Sequence, residues 1–295
     1  MLYGRRMPRL ALLPVLAREI FGERKFPREP EPDLVMEDQD QVAAYSFAGR
    51  IDGVMSAAYL YHSAQISQVI QGCASVLDLG CGPATQLAQV AALNPGVSFL
   101  GVDLSPTMID SGKKHVQSLG LSNVSFQVDD ITLLEKIPDA SFDAVMSTVV
   151  LHHLPTRQHL DRCFAQITRV LKPGGAVYLT DFGRLKSLNS VLYFAYMNAK
   201  GQPHLFSLDY ERSLRAAFLL EDFQEAAQCL PESVEVLSTF LVPFLVVLRT
   251  KAKPLEAGIA AKIRAMRKAL PPSYRRDLDD LRLFCRLGGV IPDPF

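Results

Sequence analysis

The sequence predicts an α/β fold with a mostly parallel sheet covered by helices on both faces. Three observations carry this. Short apolar segments alternate with helical ones from Ser75 to Asp181. Each apolar segment ends at a glycine or a short polar residue. Strands separated by helices cannot be hairpins, and the right-handed crossovers they need make a parallel sheet.

The elements follow in order. Ser75-Val76-Leu77-Asp78-Leu79 is the first strand, and glycines end it. Thr85 to Leu93 is a helix stopped by Asn94-Pro95-Gly96, and Val97 to Val102 is a second strand ending at Asp103. The next helix, Pro106 to Leu119, has Ser105 as its cap, proline at its first position and Gly120 beyond its end, the expected punctuation. Val124 to Val128 and Phe142 to Ser147 are the third and fourth strands. A helix opens at Pro155-Thr156, with Leu160, Phe164, Ile167 and Leu171 at helical spacing. Lys172-Pro173-Gly174-Gly175 turns the chain into a fifth strand, Ala176 to Thr180, ending at Asp181. A helix near Glu221 to Gln228 leads to two closing strands, Val234 to Leu237 and Phe244 to Leu248, close enough for an antiparallel pair. Ligands bind such sheets at the carboxyl ends of the strands. That edge collects the glycines after Leu79, Asp103, Asp129-Asp130, Ser147-Thr148 and Asp181.

Four further segments flank or interrupt this core. Residues 1–33 form a basic extension ending in Pro27-Arg28-Glu29-Pro30-Glu31-Pro32, expected as a linker because repeated prolines deny backbone donors to helix or sheet. Residues 34–71 are expected as a helical cap. The core spans 72–250, with an aromatic insertion over 183–217 that holds Tyr193, Phe194, Tyr196, His204, Phe206 and Tyr210. It is expected as a lid, because it follows the fifth strand at the ligand end. Residues 251–295 form a helical C-terminal extension, and the cations between Arg249 and Arg276 are expected on a solvated face. The run Leu10 to Ala17 after Arg5, Arg6 and Arg9 looks like a secretory leader. It is short, contains Pro14 and lacks a small-residue cleavage site, so an amphipathic extension is the expected reading.

Composition excludes several function classes. The 295 residues are 48% hydrophobic and 21% charged, enough for a substantial core. Lysine plus arginine total 31, as do aspartate plus glutamate. This balance argues against a nucleic-acid partner, whose phosphates demand excess cations. No stretch is apolar for long enough to span a bilayer, which leaves a weak membrane-surface contact open. Five widely spaced cysteines without a C-x-x-C pair indicate neither a metal site nor disulfides, and fit a reducing cytoplasm.

Gly80-Cys81-Gly82 sits between a strand and a helix, where glycine lets a ligand touch the main chain. A nicotinamide fingerprint needs glycine or alanine where Thr85 stands, and no Walker lysine follows. The block Val76 to Gly82 instead resembles the first motif of class I S-adenosylmethionine-dependent methyltransferases. The resemblance continues at Phe99 to Ile109, Val128 to Ile131, Ser141 to Val145, Leu151 to Leu154 and Arg169 to Gly175. It covers roughly residues 70–250, and its flavour is that of the small-molecule, ubiquinone/menaquinone methyltransferase-like branch. It implies a Rossmann-like seven-stranded, mostly parallel sheet with helices on both faces and helical N- and C-terminal extensions. One departure is visible: Pro83-Ala84 stands where the family has threonine-glycine.

The resemblance implies S-adenosyl-L-methionine as co-substrate. Asp103 would accept from both ribose hydroxyls, and Asp130 or Asp129 from the adenine amino group, with Ile131 beside it. Asp78, Gly80, Cys81 and Gly82 would face the methionine part, with Leu104, Met108 and Thr148 completing the pocket. His153 is the candidate catalytic residue after the fourth strand, and Tyr193 and Tyr196 are candidates from the insertion. Tyr45, Tyr59, Tyr61 and His62 are candidates to close the cofactor from the N-terminal side. No Asn/Asp-Pro-Pro-Tyr/Phe sequence follows the fourth strand, which argues against base methylation. Three readings stay open: methyl transfer to a small oxygen, nitrogen or carbon acceptor; transfer or cyclisation of the aminocarboxypropyl arm; and a non-catalytic sensor or scaffold. A homodimer is compatible with all three.

Overall fold

The computed structural model describes residues 12–32, 53–199 and 201–295. The leader-like arginines Arg5, Arg6 and Arg9, Tyr45 and most of the helical cap before residue 53 lie outside the described residues.

A seven-stranded sheet organises the chain. The strands are β1 (Ser75–Leu79), β2 (Ser98–Asp103), β3 (Val124–Val128), β4 (Phe142–Thr148), β5 (Leu171–Phe182), β6 (Glu235–Ser238) and β7 (Leu245–Arg249), in the order β3-β2-β1-β4-β5-β7-β6. The first five are mutually parallel. β7 runs antiparallel to both β5 and β6, as the short link between the closing strands predicts. The helices are α1 (Leu13–Phe21), α2 (Ser56–Val69), α3 (Thr85–Leu93), α4 (Pro106–Ser118), α5 (Arg157–Val170), α6 (Leu188–Tyr196), α7 (His204–Ala216), α8 (Leu220–Ala226), α9 (Ala257–Ala269) and α10 (Pro272–Leu287). At α4 the Ser105 side chain accepts from the Met108 backbone N–H at 3.1 Å, the cap expected there.

Strand alternation sorts the core into two layers. Val76, Phe99, Ala144, Met146, Tyr178 and Val247 point to one face and join residues of α2, α3, α9 and α10. Leu77, Leu79, Val102, Val145, Val177, Leu179 and Val246 point to the other and join α5 and α8. A third, smaller cluster binds α6 and α7 to the end of β5 through Phe182, Leu185, Val191, Ala195 and Leu214.

Two expectations need correction. In the stretch 251–295, which holds α9 and α10, Ile263, Leu270, Leu278 and Cys285 are buried in the layer that covers α2. Arg249, first of the run expected on a solvated face, is 1% exposed. Its guanidinium donates to Gln65 Oε1 at 2.9 Å and to the Ile291 carbonyl. The other concerns Lys172-Pro173-Gly174-Gly175, which stays within β5 as a bulge. Register passes from Phe142↔Leu171 to Ala144↔Ala176, and Gly174 takes the left-handed φ of 73° that the bulge requires. Among the described residues no helix is long and apolar enough to cross a membrane.

The bulge brings Lys172 to Asp143, Nζ to Oδ1 at 2.7 Å. The other oxygen of Asp143 accepts from the Ala74 N–H, the Ser75 N–H and the Ser75 hydroxyl at 2.9–3.0 Å. Lys172 first, then these donors, hold the carboxyl well below its usual range. A depressed carboxyl stabilises the fold above its unfolded pKa and loses that contribution as pH falls through the folded one. Asp143→Asn should therefore cost about 1–2 kcal/mol at pH 7, a figure reduced by the half-exposed setting. Urea unfolding should show the gap to the parent protein closing below about pH 4.

Candidate functional site

The chain after β1 makes one wall of a cavity at the carboxyl edge of the sheet. Gly80 has φ +67°, and a Cβ there would fall 2.2 Å from Val150 Cγ1, so glycine is required twice over. The Gly82 N–H donates to Asp103 Oδ2 at 2.8 Å, and the Ser105 N–H donates to Asp103 Oδ1 at 2.9 Å. One carboxylate thus ties the loop after β1 to the turn after β2. A Cβ built on Gly82 would meet nothing within 4 Å, so this part of the loop presents bare backbone to open space. Ala84 is buried and holds φ +61°, a conformation that glycine adopts more readily.

The electrostatics of this wall suit a cation. Asp78 is 3% exposed. Burial, then the charge of Asp103, push its carboxyl well above the ordinary range. Burial also pushes Asp103 up, against the pull of its backbone donors. Two carboxylates that feel each other's charge in one cavity wall favour a ligand that brings positive charge and hydroxyl donors. Burial and these same carboxylates push the Cys81 thiol up, and a Cβ on Gly101 would lie 2.8 Å from Cys81 Sγ. Cys81 is therefore a small packing residue, far from an activated nucleophile.

Most candidates from the sequence meet here. Asp78, Gly80, Cys81, Gly82, Asp103, Leu104, Met108, Asp130, Ile131, Thr148 and His153 all line the cavity, as does Tyr59. Asp130 Oδ1 accepts from the Thr132 backbone and hydroxyl at 2.7 and 2.8 Å. Asp129 stands outside the lining, with its carboxylate accepting from Gln127 Nε2 and the Asp130 N–H. Tyr61 and His62 also stand outside it. His62 pairs with the Tyr178 hydroxyl at 2.8 Å inside the core, where burial lowers its pKa to about 3. Tyr193 and Tyr196, expected as catalytic, do not line the cavity either. Tyr196 donates to Glu211 Oε2 at 2.8 Å. The insertion reaches the cavity through the next helix instead, with Phe206, Asp209, Tyr210, Arg212 and Ser213 of α7. Helical phase explains the shift, because α6 buries Ser190, Val191 and Ala195 against the fold and turns its tyrosines aside.

The opposite wall contains groups that the sequence reading missed. Pro27 to Pro32 is no free linker. Arg28 donates to the carbonyls of His152, Leu154, Pro155 and Ala216 at 2.6–2.9 Å, and its guanidinium stacks 3.8 Å above the Phe218 ring. This clamp seats Glu31 in the cavity wall, where Glu31 Oε2 lies 3.1 Å from His153 Nδ1. The Ser213 hydroxyl donates to Glu31 Oε1 at 2.9 Å. Burial raises the Glu31 carboxyl, but the bond and charge of His153 outweigh it and set a pKa of about 2. Burial likewise lowers His153, and Glu31 outweighs it, so the imidazole is raised above its ordinary value. His152 is 1% exposed. Asp181 accepts from its backbone N–H at 2.9 Å and sits 2.7 Å from its Nδ1. Nothing in the spacing of Glu31 or Asp209 marks them beforehand, since only the docked chain brings them to the histidines.

Residues 70–212 match a family model described as a methyltransferase domain. The chain is 32% identical over 173 residues to 27-O-demethylrifamycin SV methyltransferase of Amycolatopsis mediterranei (strain S699), covering 57% of this chain and 58% of that protein. It is 31% identical over 153 residues to ubiquinone biosynthesis O-methyltransferase of Coxiella burnetii (strain RSA 331 / Henzerling II), covering 50% of this chain and 59% of that one. The aligned parts thus span less than two thirds of these relatives. Among solved structures, the plantazolicin methyltransferase BpumL in complex with SAH aligns with a TM-score of 0.55 at 15% identity, covering 87% of this chain and 90% of that one. A methyltransferase from Aquifex aeolicus aligns with a TM-score of 0.51 at 15% identity, covering 73% and 98%. At such identity these structures show the shared fold.

Asp103 should matter most to cofactor affinity, because it both shapes the glycine loop and offers a charged acceptor. Asp103→Ala should weaken S-adenosylmethionine binding by about 1.5–3 kcal/mol, the value of a hydrogen bond to a charged group. Titration calorimetry reads this directly, and an unchanged affinity would remove Asp103 from the site.

Proposed function

We propose that this chain is a class I S-adenosylmethionine-dependent methyltransferase that moves a methyl group to an oxygen, nitrogen or carbon of a small molecule. The observation that carries the reading is one cavity with two unlike walls. One wall is bare glycine backbone with the buried Asp78 and the half-buried Asp103. The other is Glu31, His152, His153 and α7. When bound, S-adenosylmethionine supplies an electrophilic sulfonium methyl.

The residues of the chain then have three tasks. Asp103 and Asp130 fit the ribose and adenine, and Gly80 to Gly82 fit the methionine part. Phe182, Phe206 and Tyr210 give the acceptor an apolar seat and shut out water. His153, with Glu31 behind it, meets the reacting group of the acceptor and orients it. Placement of this kind supplies a large part of a bimolecular rate. The named relatives include two O-methyltransferases, which supports methyl transfer over use of the aminocarboxypropyl arm and over a silent scaffold. The 183–217 insertion acts in this reading as the acceptor-side lid, through α7. The five free cysteines support a reducing, cytoplasmic setting.

Incubation with S-adenosylmethionine and a metabolite extract, read by mass spectrometry, tests the proposal. Protein-dependent S-adenosylhomocysteine is expected, together with one metabolite heavier by a methyl group. Methylthioadenosine in its place would overturn it. Once the acceptor is known, His153→Ala should lower kcat by about 100-fold. Tyr196→Phe should stay within about twofold, as expected of a residue away from the cavity. Equal losses in the two variants would return the tyrosines to the site.

A further inference from the structure

In-line methyl transfer needs a positioned nucleophile and little else, yet Glu31, His152 and His153 converge more closely than that task demands. One donor atom from each lies within 4.8 Å of the other two. Glu31 Oε1 is 3.6 Å from His152 Nε2, and Glu31 Oε2 is 3.1 Å from His153 Nδ1. Ligands around a tetrahedral zinc ion, with bonds of about 2.0–2.2 Å, stand about 3.3 Å from each other. The two Glu31–histidine separations lie close to that spacing, and the third pair is within 4.8 Å. We propose that Glu31, His152 and His153 form a binding site for one divalent transition-metal ion, with its remaining position turned to the acceptor cavity.

The second observation is the state of His152. Its ring is 1% exposed, and Nε2 is buried without a hydrogen-bond partner. Asp181 lies 2.7 Å from Nδ1, and a carboxylate only accepts, so Nδ1 is the donor of this pair and Nε2 is the ring atom left to face Glu31. A buried polar atom without a hydrogen-bond partner is costly. A metal ion bound at Nε2 would satisfy it.

The outer partners of a metal site are also in place. Metal-binding histidines usually donate their other ring N–H to a carboxylate, and binding carboxylates are themselves hydrogen-bonded. Asp181 does the first for His152, and the Ser213 hydroxyl does the second for Glu31 at 2.9 Å. Arg28 holds the His152 and Leu154 carbonyls, so the segment that carries Glu31 is fixed to the loop that carries both histidines. Two imidazoles and one carboxylate select a zinc-like ion, because magnesium and calcium prefer all-oxygen sites. The sequence led to no expectation of a metal here, since the third ligand comes from a proline-rich stretch far up the chain.

Cobalt(II) and zinc titrations of the chelator-treated full chain test the site. One cobalt ion per chain should bind, with the visible absorption of a low-symmetry nitrogen–oxygen site, and zinc should displace it while millimolar magnesium does not. Glu31→Gln and Asp181→Asn should each weaken zinc binding by at least about 10–100-fold. His115→Ala, outside the cavity, should leave it unchanged. Far-UV circular dichroism and S-adenosylhomocysteine binding, measured on the same samples, report folding and the cofactor half separately. Wild-type protein that binds S-adenosylhomocysteine but no ion would overturn the proposal and leave methyl transfer standing. So would zinc affinity that Glu31→Gln does not change in a folded variant. Loss of S-adenosylhomocysteine binding by the wild type would instead strike the methyltransferase reading.

Discussion

Parallel pairing of one buried strand, β1, with β2 on one side and β4 on the other is the constraint on which the site depends. The register sets Leu79 beside Val102 and Asp78 beside Met146. The next residues of all three strands therefore leave the sheet at the same edge. Gly80, Asp103 and Thr148 meet there because parallel strands end together, whereas antiparallel neighbours would send alternate ends apart. Hydrogen bonds from the Gly82 N–H to Asp103 and from the Cys81 N–H to the Val102 carbonyl then turn a sheet edge into a shaped loop.

Buried charge is the second theme of the molecule. Burial, then the charge of Asp103, pushes the Asp78 carboxyl up, and burial pushes Asp103 up against its backbone donors, a cost that a cationic ligand would relieve. Across the cavity the balance is internal: Glu31 faces His153, and Asp181 holds His152. The two walls of the cavity thus differ in how their charge is balanced, which is the asymmetry the proposed function uses.

The strap from Pro27 to Pro32 links these halves to the rest of the chain. Prolines keep it extended and strip it of donors, so it cannot enter the sheet or form a helix. Arg28 makes several of its holds, beside the Glu29 N–H on the Arg215 carbonyl and the Arg215–Glu29 ion pair. Arg28 satisfies four carbonyls at once in the segments 152–155 and 216, groups that the turn after β4 and the end of α7 leave without helical partners. The same planar guanidinium lies on Phe218, so packing and hydrogen bonding fix a single orientation.

Local chemistry made much of this legible from residues alone. The alternation of strands and helices, the caps at Ser105 and Gly120, the antiparallel closing pair and the glycine turn all depend on neighbours a few positions apart, and backbone sterics fix them. The glycine-and-carboxylate wall of the cavity was legible for the same reason: Asp78, Gly80, Gly82 and Asp103 sit at strand ends, and a parallel sheet admits one place for strand ends. The opposite wall depended on chain segments far apart in sequence. Whether α6 or α7 faced the cavity was a matter of helical phase against β5, which put Asp209 and Tyr210 inside and Tyr193 and Tyr196 outside. Whether the proline-rich stretch was a spacer or a wall was decided by Arg28 finding carbonyls beyond β4. Sequence by itself determined the fold and the half of the cavity built from strand ends; only the tertiary structure decided the other half, because burial and long-range hydrogen bonds select among side chains that look alike along the chain.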